Sequence, residues 1–179
     1  MLKITIPSRE LFDEATNTFI YTKEQKLQLE HSLVSLSKWE SKWHKSFIDT
    51  KDKTIAETID YIRCMTLTQN VDPNIYNFVT NEIIDQVNAY LNEPMTATKF
   101  SHESKGPNTQ IVTSELIYYW MITFNIPFEC QKWHLNRLLT LINVCSIKNA
   151  PAKKMSKKEI MSRNQALNAA RRKKYGTKG

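Results

Sequence analysis

Glycine is nearly absent: three residues in 179, the first at position 106. That shortage excludes a glycine-rich phosphate loop and a dinucleotide-binding turn. It also argues against an all-β protein, whose tight turns need many positions of positive φ. Cysteine is scarce as well. Cys64, Cys130 and Cys145 are odd in number and widely spaced, so no disulfide framework is indicated, and buried thiols in a reducing compartment are expected. No apolar run approaches the ~18 residues needed to cross a bilayer. The opening MLKITIPSRE lacks the apolar core of a signal peptide. These features predict a soluble intracellular protein without a membrane partner.

Signatures of catalysis and metal binding are missing too. His31, His44, His102 and His134 fall in no metal-binding spacing. Cys130 and His134 stand four apart, but nothing grouped near them supplies two more ligands. No serine sits in a G-x-S-x-G elbow. Asp49, Asp52, Glu57 and Asp60 form an acidic cluster that reads as a solvated helix face rather than a catalytic pair. The expectation is a non-enzymatic protein with no cofactor and no metal.

What is present is charge, and it is concentrated at one end. The chain carries +7 overall. Residues 150–179 hold ten Lys or Arg against the single acid Glu159, a net of +9; residues 1–149 therefore hold a net of −2. A nearly neutral body argues against nucleic acid as its partner and confines that question to the tail.

Hydrophobic periodicity predicts a mainly α (α+β) fold. Residues 1–31 read as an N-terminal β element: LKITI alternates and stops at Pro7, and NTFIYT and KLQLEHSL continue the pattern. Residues 32–149 read as a helical core. Ser32 caps a helix through Leu33, Leu36, Trp39, Trp43 and Phe47, and Thr54 with Glu57 opens a second one bearing Ile55, Ile59 and Ile62. After the VDPNIYNFV turn comes a third, with Ile83, Ile84, Val87, Tyr90 and Leu91, stopped by Pro94. Residues 95–112 read as an exposed connection. Ser114 is expected to cap a helix running to Phe124, and Phe128 to start another through Ile142 and Cys145; the two are expected to pack as a hairpin at the centre of the core.

Residues 150–179 read as a linker followed by a basic, weakly ordered helix from Ser156 to Arg172, with a capping box of Ser156 and Glu159 and a thin stripe of Ile160, Leu167 and Ala170. The candidate partner-binding residues are Ile160, Arg163, Leu167, Arg171, Arg172, Lys173 and Lys174. Two aromatic–cation patterns compete with this tail as binding elements. Trp133 and Arg137 permit an Arg–indole contact, and SKWESKWHKSF interleaves Lys with Trp as some single-strand binders do. Both also fit ordinary packing, with aromatics buried at helical spacing.

Three segments, SLVSLSKWESKWHKSF…TIDYIRCMTL, SELIYYWMITFNIPFECQKWHLNRLLTLINVCSIKN and KKMSKKEIMSRNQALNAARRKKYGTKG, resemble the tail assembly chaperones of long-tailed (siphovirus-type) bacteriophages. The resemblance implies a non-enzymatic protein in the cytoplasm of the infected bacterial host. It implies the tape measure protein as partner during virion morphogenesis, and in many such phages a frameshifted longer form of the chaperone itself. The family supplies no catalytic residues to carry over. A structural virion protein of the tail or neck and a nucleic-acid-binding accessory protein remain open alternatives, as does a homo-oligomer.

Overall fold

The computed structural model describes residues 1–15, 17–100, 110–150 and 156–176. The chain is mainly α with a small N-terminal β element. Strands β1 (Leu2–Ile6), β2 (Arg9–Asp13), β3 (Thr18–Thr22) and β4 (Gln25–Leu29) precede helices α1 (Leu33–Trp43), α2 (Ile55–Met65), α3 (Asn81–Leu91), α4 (Ser114–Thr123), α5 (Leu135–Asn149) and α6 (Lys157–Tyr175). Short 3-10 helices occupy Pro73–Phe78 and Phe128–Lys132. The chain forms two compact units, Met1–Ile147 and Lys148–Gly179.

The β element is one long hairpin. β1 pairs antiparallel with β4, Leu2 opposite Leu29 and Ile6 opposite Gln25. β2 pairs with β3, Arg9 opposite Thr22 and Asp13 opposite Thr18. Partner numbers sum to 31 in both ladders, so the register passes unchanged across the gap at Pro7 and Ser8. Pro7 has no N–H to give to a ladder, which explains the break. At the base, Ile4, Ile6, Leu27 and Leu29 are buried while Lys3, Thr5, Lys26 and Gln28 alternate outward. β2 escaped the sequence reading because RELFD is short and mostly charged or polar; its pairing comes from the hairpin register.

Beyond the hairpin, α1 is the central helix. Ser32 and Ser35 form a reciprocal capping box, and Leu33, Leu36, Trp39 and Glu40 are buried. α1 packs against α2, α4 and the Phe128–Lys132 turn. This corrects the expected α4–α5 hairpin core: α4 docks on α1. Phe128 also does not start α5. The chain must first run extended at Trp133 so that His134 can bridge to Ser32 and Leu135 N–H can donate to the His31 carbonyl at 2.7 Å. The cap of α4 is Thr113, not Ser114; the Ser114 N–H donates instead to Glu40. Ile55, expected on a packing face, is exposed, whereas Ile62 on the same helix is fully buried.

The glycine shortage leaves its mark on the turns. Asn17, His44, Asn70, Met95 and Asn125 all hold positive φ. Asparagine tolerates this left-handed region better than most side chains, because its short polar group bonds to local backbone. His44 closes α1 there, with its N–H on the Glu40 carbonyl.

Glu40 fastens two distant segments. Its carboxylate, 7% exposed, accepts from the N–H of Phe47 at 2.9 Å and of Ser114 at 2.7 Å. Removing it strands two buried donors. Glu40→Ala is expected to lower the unfolding free energy by about 2–4 kcal/mol, read from urea denaturation, and Glu40→Gln to recover part of the loss. An Ala variant within about 0.5 kcal/mol of wild type would show that neither donor depends on this carboxylate.

Candidate functional site

The tail forms α6, which runs three residues past the expected end at Arg172, to Tyr175. Ser156 accepts from the Glu159 N–H at 3.2 Å, and the Glu159 carboxylate accepts from the Ser156 N–H at 2.8 Å. Those bonds hold the Glu159 carboxyl below its ordinary range. Gly176 ends the helix at φ 63, a left-handed cap that glycine adopts without strain. No residue of α6 is buried.

Helical spacing sorts the seven candidates. Ile160, Leu167, Arg171 and Lys174 fall in one stripe, with Arg163 at its edge. Arg172 and Lys173 project from other sides, so the helix brings five of the seven together. Ile160 and Leu167 are 44% and 46% exposed. Between Lys157 and Tyr175 stand seven cations and one acid.

A concave feature lies in the first unit. A cleft of about 460 Å³ opens between α2, the chain from Phe47 to Lys53, α3 and the start of α5. Phe47, Ile48, Val87, Leu91, Leu135 and Leu139 make its apolar wall. Lys51, Lys53 and Asn88 add polar groups, and among the described residues no Asp or Glu lines it. Lys53 Nζ sits 4.2 Å from the Phe47 ring centroid and donates to the Thr50 carbonyl; burial pushes its pKa down. Two cations over an apolar wall suit an acidic group on an apolar stem. Nothing in the sequence flagged this cleft, because its lining comes from five separated segments with no shared motif.

An aromatic chain runs beneath it. Trp43 lies against Trp39, Trp39 meets Phe47 edge-on, and Phe47 stacks on Tyr61 with centroids 3.8 Å apart. His31 Nδ1 and the Tyr61 hydroxyl share a 2.5 Å hydrogen bond. His31 packs on His134, and His134 on Tyr90. The Asn136 N–H donates to His134 Nδ1, so the other ring nitrogen carries the proton and donates to the Tyr90 carbonyl. Both nitrogens of His134 therefore serve the fold. Among the described residues, no three His, Cys, Asp or Glu are grouped to hold a metal, and the three cysteines are free.

The acidic cluster is not the solvated face expected. Asp49 and Asp52 are exposed, but Glu57 and Asp60 are buried. Glu57 accepts from Lys45 at 2.6 Å and from the Thr54 N–H at 2.7 Å. Lys45, then the Thr54 backbone, hold its pKa down to about 2. Asp60 accepts from Lys42 and from Trp43 Nε1. These carboxylates are buried because Lys42, Lys45 and the Trp43 indole of SKWESKWHKSF satisfy them. Trp39 is fully buried and donates to the Glu57 carbonyl, so it offers no face to a nucleic-acid base. The Arg137 guanidinium does lie over the half-buried Trp133, 4.1 Å from its centroid. Among the described residues, no helix is long and apolar enough to cross a membrane.

His31 sets a pH dependence. Burial, with His134 adding to it, lowers its pKa from 6.5 to about 3. The folded state keeps His31 neutral while the unfolded chain takes up a proton below pH 6.5. Its contribution is therefore fully present above 6.5 and is lost as pH falls toward 3. Unfolding free energy should fall between pH 6.5 and about 5 with a slope approaching ~1.4 kcal/mol per pH unit, and His31→Phe should flatten that slope. An equal slope in the variant would move its origin elsewhere. Glu57, also depressed, adds a loss of the same sign below its ordinary value of 4.5.

No protein-family model, curated protein or solved structure matches the chain.

Proposed function

We propose that this protein is a non-enzymatic assembly factor that holds an acidic, amphipathic protein client, and that it serves as a tail assembly chaperone whose client is the tape measure protein of a long-tailed bacteriophage. The carrying observation is α6: nineteen residues, none buried, capped at both ends, with Ile160 and Leu167 in line with Arg171 and Lys174. A helix with so thin an apolar stripe gains little stability by itself, and docking on a client would bury the stripe. Positive charge speeds that encounter and selects acidic clients. The cleft, taken separately, has the same preference, with two lysines and, among the described residues, no carboxylate in its lining. The phage assignment rests on the sequence resemblance, and the client-holding role rests on these surfaces.

Co-purification with the tape measure protein tests the reading. Full-length chain should retain it after nuclease treatment. A variant carrying Ile160→Asp and Leu167→Asp should bind at least about tenfold more weakly, about 1.4 kcal/mol. Equal capture by variant and wild type would move the grip from α6 to the first unit. Absence of capture by either form would sink the chaperone reading. Capture of DNA in its place, lost steeply with salt, would favour the nucleic-acid alternative, and stoichiometric presence in purified virions would favour the structural one.

A further inference from the structure

Lys53 is a half-buried cation, and no acid of the cleft answers it. Its ammonium lies over the Phe47 ring and donates to the Thr50 carbonyl. Acids close by in the chain are engaged elsewhere. Glu57 accepts from Lys45 and from the Thr54 N–H, and Asp49 accepts from the Val112 N–H at 2.7 Å. Asp52 is exposed and does not line the cleft. Lys51 adds a second cation to the same lining. An ammonium drawn partly out of water without a counter-ion is costly, so the cleft favours whatever brings it a negative charge. The depressed pKa of Lys53 has that cause, since burial outweighs the attraction of Glu57.

The other polar groups of the lining are already committed. Asn92 donates to the Asn88 carbonyl, Asn136 to the carbonyls of Leu91 and Glu93, and Thr58 to the Thr54 carbonyl. His31 and Tyr61 are buried and bonded to each other, and the lowered pKa of His31 keeps it neutral. Recognition of a charged head group therefore falls to the lysines. Of these, Lys53 is half-buried and Lys51 exposed, so a single negative charge is the match. The apolar lining sets the rest of the ligand. Val87 and Leu135 are buried, but Leu91 and Leu139 are half-buried and Ile48 is 40% exposed, leaving apolar surface that a stem would cover. The volume of about 460 Å³ lies within the range of roughly 300–1,000 Å³ found for small-molecule sites.

We propose that this cleft binds a small monocarboxylic acid with an apolar stem, its carboxylate on Lys53 and its stem against Leu91, Leu139 and Ile48. The head group gains a charge-assisted hydrogen bond, which is stronger than a neutral one. The stem replaces water on the three partly exposed side chains. A dianion would bring a second charge against the apolar wall, where the half-buried ammonium cannot balance it.

Calorimetric titration of the full chain with octanoate tests this. Octanoate should bind one to one, with Kd below about 1 mM, and each methylene removed from the stem should weaken it about fourfold. 1-Octanol, which keeps the stem and lacks the charge, should bind at least about tenfold more weakly. Lys53→Met, which keeps the apolar length of the side chain, should weaken octanoate at least about tenfold without weakening octanol. Amide chemical-shift mapping on wild type locates the ligand even if that variant misfolds: residues 47–53, 87–92 and 135–139 should shift on adding octanoate. Octanol binding as tightly as octanoate, a folded Lys53→Met protein of unchanged affinity, shifts confined to residues 157–175, or no octanoate binding at about 10 mM would each overturn the proposal. No client takes part in these measurements. Their failure leaves the grip assigned to α6 untouched, and failure of client capture leaves the acid site untouched.

Discussion

Three residues, Glu30, His31 and Ser32, hold the first unit together, and they do so through groups that cannot be left unpaired. The Glu30 N–H donates to the Met65 carbonyl at the end of α2. The Glu30 carboxylate accepts from the Tyr90 hydroxyl on α3 and pairs with the chain's amino terminus. The His31 carbonyl accepts from Leu135, the first residue of α5, and Ser32 caps α1. A junction of three residues therefore sets where one strand ends and where four helices lie. Buried backbone groups cost too much to abandon, so the order of α1, α2, α3 and α5 around it follows from satisfying them. The aromatic chain from Trp43 to Tyr90 fills the space those constraints leave.

This explains which features could be read from the sequence. Helix starts at Ser32, Thr54 and Ser156 were legible because a cap is local: the acceptor, the N–H it satisfies and the reciprocal residue lie within four positions. The base strands were legible from alternation. The start of α5 was not, since Phe128 to His134 has helical periodicity and only the distant Ser32 pulls His134 out of helix. Glu57 and Asp60 were misread for the same reason. Their charge suggested exposure, and the partners that permit burial, Lys45, Lys42 and Trp43, sit 12–18 residues away on another element. For the candidate site, the stripe on α6 was readable from spacing alone, while the cleft was invisible because it exists only after five segments converge.

Scarcity of glycine and asymmetry of charge act on the same architecture. With asparagine holding three of the five left-handed positions outside glycine among the described residues, most of these turns are made by a residue that can also bond locally. Three of the body's carboxylates are paired, Asp60 with Lys42, Glu57 with Lys45 and Glu30 with the amino terminus, and its cations and acids nearly balance in number. Little net charge is left over, and the excess lies in the last thirty residues. Such a division suits a scaffold that keeps its shape while a separate basic helix does the electrostatic work.

The exposed surfaces then differ in what they can recognise. α6 offers cations around a thin apolar line, so its attraction is long-ranged, salt-sensitive and tolerant of sequence. The hairpin offers the exposed rings of Phe12, Phe19 and Tyr21, so its attraction is short-ranged. A client that must be held and later surrendered is better matched to the first kind. The two also respond differently to conditions: raising salt weakens the first and, by strengthening apolar burial, leaves the second intact.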